Sequence, residues 1–267
     1  MTEPPASWAA LLSSIAAILS SIAWPGVVLW FLCTHKARIA FLLKVLGRKL
    51  SLAKRVKVGQ IELEEFEEEV KEAVIQAGAQ ISETDSSKSV PKNQIQAAES
   101  LDAKVRIAGI PDTNVRDTVR REIYDLAREY EIVRSIVPRG HMRTRKMNEI
   151  AAGMRTLAIA GLGLRTELTR SDSVGRRLAA ICMFQVEPHP RYFRWLIERV
   201  KTESHPFVFY QAAVAILEMV RKKLYVNPEE AQSQIAAALE VITNFQGGQP
   251  DQNTVDVLNE AFLLLQQ

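Results

Sequence analysis

The sequence predicts a mostly α-helical protein: an N-terminal transmembrane helix, a short β-hairpin, then a cytoplasmic α-helical array or bundle. Three observations lead there. Residues 8–33 run for about 26 positions without a charge, enough for a helix to cross a hydrocarbon core of roughly 30 Å. From Pro111 onward, apolar side chains return every three or four positions in successive segments that Pro, Gly or polar residues separate. Of 267 residues, 47% are hydrophobic and 24% charged, which supports one globular domain of roughly 150 residues behind the anchor and leaves no room for a second.

The leading MTEPPAS carries Glu3 and no Lys or Arg, unlike the basic start of a cleaved signal peptide, so residues 1–35 are expected to persist as an anchor. Behind the span come Lys36, Arg38, Lys44, Arg48 and Lys49. The positive-inside rule puts this flank in the cytoplasm and the N-terminus outside, as in a single-pass protein of the plasma (inner) membrane. Trp8 and Trp30 fall where aromatic rings favour the headgroup boundary. Pro25 cannot donate to the Ser21 carbonyl, which predicts a kink. Ala9, Ser13, Ala17 and Ser21 form a small-residue stripe, a face through which copies of the helix could pack into a homo-oligomer.

Residues 36–58 continue as a basic amphipathic segment, with Ile39, Leu42, Leu43, Leu46 and Leu50 at helical spacing among about eight Lys and Arg. Laid along the inner leaflet, it would bring Lys36, Arg38, Lys44, Arg48 and Lys49 to anionic headgroups. Over residues 56–79 the period changes: Val56, Val58, Ile61 and Leu63 alternate with polar residues as two short strands, and an acidic helix follows with Phe66, Val70, Val74 and Ile75 on one side. The VKVGQIELEEF stretch resembles bacterial single-pass proteins in which a short strand segment follows the basic membrane flank. Residues 80–110 are expected to be a linker, because QISETDSSKSVPKN is polar and poor in large apolar groups and the Ala-rich stretch after it gives no firm pattern.

The helical domain is expected over 111–267. Val115, Val119, Ile123, Leu126, Tyr130, Val133 and Val137 mark a first helix, which Pro138 and Gly140 end. Met147, Ile150, Met154 and Leu157 mark a second, interrupted by Gly161 and Gly163. Ser171 and Ser173 offer N-caps to a third, and Pro190, Pro206 and Pro228 each open a further helix. A last helix over 253–265 carries Val257, Leu258, Ala261 and Phe262. GRRLAAICMF and FYQAAVAILE align at an offset of about 33 residues, matching Ala179 with Ala212, Ala180 with Ala213 and Ile181 with Val214. On these residues the stretch from about 171 to 239 resembles HEAT or armadillo-type helical hairpins, which implies a solenoid that binds through an extended surface.

The chemistry-bearing motifs are few. The glycines near 140, 161 and 247 lack the spacing and the following Lys-Ser/Thr of a phosphate loop. His35, His141, His189 and His205 lie far apart, and the two cysteines, Cys33 and Cys182, suggest neither a disulfide framework nor a metal cluster. No serine sits in a nucleophile elbow. No catalytic residue, cofactor or metal is therefore assigned, which argues against an enzyme. A formal net charge of +3 and the lack of aromatics among the basic residues argue against nucleic acid.

One dense cluster stands out. PRGHMRTRKM sets Arg139, His141, Arg143, Arg145 and Lys146 at a helix start, where cations oppose the helix dipole. Either the acids Glu122, Asp125, Glu129 and Glu131 of the preceding helix compensate them, or an external anion or acidic partner does. The sequence thus supports a membrane-anchored scaffold that presents its helical domain to a protein partner. The alternative is an oligomerising membrane effector or pore-type component of a bacterial stress or defence system.

Overall fold

The computed structural model describes residues 63–80, 88–108, 111–244 and 251–266, all within one compact unit spanning 61–267. The transmembrane helix with its Ala9, Ser13, Ala17 and Ser21 stripe, the Pro25 kink, the basic segment over 36–58 and the residues expected as strands up to 62 lie outside the described residues. Among the described residues, no helix is long and apolar enough to cross a membrane.

The described residues are all-α, with ten α-helices and two short 3₁₀ turns and no strand among them. The first, α1, covers 63–79, so Leu63 belongs to a helix and not to a strand. Phe66, Val70 and Ala77 face inward while Ile75 stands in solvent, a narrower buried stripe than the sequence suggested. Helix α2, Lys92–Ala108, occupies most of the stretch expected to be a linker. It forms because Ala98 and Leu101 find a buried site against the rest of the domain, and tertiary burial supplies what local apolar content did not.

Eight helices follow: α3 Asp112–Ile136, α4 His141–Thr156, α5 Arg165–Thr169, α6 Val174–Val186, α7 Phe193–Thr202, α8 Pro206–Arg221, α9 Pro228–Thr243 and α10 Gln252–Leu264. The caps follow sequence chemistry. Ser173 accepts from the Arg176 N–H, Asn227 accepts from the N–H groups of Glu229 and Glu230, and Pro190, Pro206 and Pro228 sit in first turns. The 3₁₀ turn Leu162–Leu164 falls between Gly161 and Arg165 and bridges α4 to α5.

The helices stack in two layers. One contains α2, α4, α6, α8 and α10, each packed on the next. The other contains α3, α5, α7 and α9, which pack against α4, α6, α8 and α10 respectively, so consecutive helices pair as hairpins. Position in the stack explains composition. Helices α6 and α8 lie between neighbours on both sides, and their runs Leu178–Val186 and Ala212–Leu217 are buried all round, as expected of helices with apolar residues on every face. The matched pairs Ala179, Ala212 and Ala180, Ala213 are all buried on these two touching helices.

One close approach depends on a glycine. A Cβ at Gly175 would stand 2.2 Å from the Ala127 carbonyl oxygen, so only glycine lets the start of α6 lie directly on the α3 backbone.

Candidate functional site

The basic cluster forms the corner where α3 ends and α4 begins. Val137 closes α3 by donating its N–H to the Val133 carbonyl, and Gly140 turns the chain with φ at +148°, a region that favours glycine. Arg143, in the first turn of α4, swings back. Its Nη1 donates to the carbonyls of Arg134 and Val137, both at 3.4 Å. That cation therefore stands at the negative end of α3 while belonging to the start of α4, so the dipole penalty on one helix is offset by the other.

The acids of α3 do not neutralise the corner. Asp125 pairs with Arg128 at 3.3 Å. Glu131 accepts from the Ser173 hydroxyl at 2.7 Å and the Gly175 N–H at 3.2 Å, which ties α3 to the start of α6. Arg145 meets Glu149 one turn further along its own helix, with Nε to Oε1 at 3.1 Å. Of the five residues that the sequence singled out, Arg143 and Arg145 are thus engaged within the domain, while Arg139, His141 and Lys146 stay exposed along the turn and the start of α4. The structure also adds three exposed apolar side chains at the same corner, Ile132, Ile136 and Met142.

A second polar centre lies inside the stack, and sequence reasoning missed it. The guanidinium of Arg155 donates from Nε to Gln185 Oε1 at 2.6 Å, from Nη1 to Gln94 Oε1 at 2.9 Å and from Nη2 to Gln211 Oε1 at 2.6 Å. All four side chains are buried and come from α4, α6, α2 and α8, four consecutive members of one layer. Gln185 also donates to the Gln211 backbone carbonyl at 2.7 Å. The available signal was an arginine between Met154 and Thr156 in a stretch with no polar face to carry it.

Two further clusters tie the layers together. Arg177 and Glu203 form a bidentate pair, with Nε to Oε1 at 2.6 Å and Nη2 to Oε2 at 3.0 Å, and Arg199 joins the same carboxylate at 3.4 Å. Glu167 on α5 accepts from Arg120 Nε and Nη2, both at 3.2 Å, and from the Tyr124 hydroxyl, while Arg176 stacks 3.7 Å over the Tyr124 ring. Burial alone would raise the Glu167 carboxyl, but the bonds from Tyr124 and Arg120 outweigh it and hold the group below its usual range. Burial, reinforced by the bond to Glu167, pushes Tyr124 up.

The remaining candidates take packing or capping positions. Burial pushes the Cys182 thiol up to about 11, far from a reactive thiolate. His189 Nδ1 accepts from the Arg191 N–H at 3.3 Å. Among the described residues, no group of three or more His, Cys, Asp or Glu side chains is arranged to hold a metal ion. Comparison with protein-family models, with curated proteins and with solved structures gives no match.

Proposed function

We propose that the protein is a single-pass, membrane-anchored scaffold whose helical domain, of HEAT-like form, presents a surface to a protein partner on the cytoplasmic side. The observation that carries this reading is the two-layer stack of paired helices. In such an array each hairpin rests on its neighbours, so the layer surfaces run continuously along the stack and offer an extended face for binding. The polar clusters support it, because Arg155 with its three glutamines and Arg177 with Glu203 join one helix to the next and set their register. The uncharged run over 8–33 and the basic flank behind it supply the anchor.

The test is photocrosslinking of the full chain in intact cells. The crosslinker replaces exposed residues of one layer, Arg194 and Ala236, or of the other, Asn259 and Leu263. One discrete adduct confined to one layer supports the scaffold. Failure of every position to give a discrete adduct would overturn it.

A further inference from the structure

We infer that the α3–α4 corner is a second membrane contact, an edge that inserts aliphatic side chains into an anionic bilayer surface. This rests on the anchored reading above and adds to it a site on the helical domain. Two observations carry it. Ile136 is 73% exposed, Met142 66% and Ile132 47%, which makes the corner the place where large exposed apolar residues of the described chain gather. Ile132 and Ile136 are one turn apart on α3, Met142 stands in the first turn of α4, and Arg143 of that same turn donates back to the Arg134 and Val137 carbonyls at the end of α3.

The second observation is charge. Arg139 in the turn, with His141 and Lys146 at the start of α4, are exposed and make no hydrogen bond or ion pair among the described residues. Cations flanking aliphatic residues match the layered chemistry of a bilayer surface, with acyl chains below and phosphates above. The N-terminal anchor would hold the corner at high effective lipid concentration, so a weak insertion suffices.

The experiment places an environment-sensitive fluorophore at position 142 of the full chain as Met142→Cys, with Cys33→Ser and with the buried Cys182 left in place. The labelled protein is reconstituted into phosphatidylcholine vesicles with or without phosphatidylglycerol. The expected result is a blue shift, with quenching by lipid-borne spin labels, only when phosphatidylglycerol is present. Arg139→Gln with Lys146→Gln should lower the inserted fraction about tenfold or more, the effect of two lost basic contacts. A probe at Leu263→Cys should keep a solvent spectrum, and unchanged helical circular dichroism should show that the variants fold.

A solvent spectrum at position 142 in every vesicle would overturn the inference. So would a shift that ignores lipid charge, or one produced by soluble polyglutamate and not by phosphatidylglycerol. Alkaline carbonate extraction of the same vesicles reads the anchor separately. Release by carbonate removes the anchored reading, while salt-sensitive flotation of the released chain still judges the corner by itself.

Discussion

Arg155 and Gln211 meet at 2.6 Å in the interior, Nη2 donating to Oε1, although one stands on α4 and the other on α8 with α6 between them in the layer. Gln211 also takes a hydrogen bond from Gln185, so one amide oxygen serves two donors from two helices. Replacing Gln211 by Leu leaves a buried guanidinium N–H and a buried amide N–H short of an acceptor. Such groups cost about 1–3 kcal/mol each, and Gln211→Leu is expected to lower unfolding stability by at least that range. The double variant with Arg155→Met should lose less than the sum of the single changes, because the stranded donor is gone as well. Denaturant titration of the four proteins in the cycle measures both.

Gly175→Ala is expected to destabilise by about 1–3 kcal/mol, the usual effect of forcing a group into a filled site. The reason is specific. The added Cβ would stand 2.2 Å from the Ala127 carbonyl oxygen and meets backbone, which cannot rotate aside, so α6 must lift from α3. Ser173 and Glu131 would then separate, and the loss should appear as faster exchange of the Gly175 and Arg176 amides.

Tyr130 makes an opposite prediction. Its hydroxyl is buried without a hydrogen-bond partner, and burial pushes its pKa up to about 12, against the nearby Arg134 guanidinium, which lowers it. A folded-state pKa above the unfolded value of about 10 means a contribution that is intact below pH ~10 and lost as pH rises toward 12. Tyr130→Phe should therefore stabilise the domain by up to about 1 kcal/mol at neutral pH, since it removes an unsatisfied polar group. It should also flatten the alkaline fall in stability. Unfolding curves of both proteins between neutral and alkaline pH check the two effects together.

Much of the helical domain is legible in the sequence because its signals are local. The spacing from Val115 to Val133 marks α3, Ser173 and Asn227 cap their helices, and Pro190, Pro206 and Pro228 open theirs. Helix α2 was missed because its buried residues gain their value only from distant partners. Gln94 is polar in the sequence, and its reason for burial is Arg155, 61 positions away. The same distance hid the Arg155 centre as a whole. The basic corner was legible as a cluster, but its compensation was not. Asp125 and Glu131, offered by proximity, are occupied elsewhere, and Arg143 instead uses the carbonyl end of α3.

Alkaline carbonate extraction of membranes from cells expressing the full chain, combined with protease digestion from the cytoplasmic side, tests the central claim most directly. The anchored-scaffold account predicts that the chain stays with the membrane pellet. It also predicts that cleavage behind residue 35 releases the helical domain as a fragment that begins on the cytoplasmic side. Recovery of the intact chain in the carbonate supernatant, or protection of the helical domain from protease on that side, would contradict it.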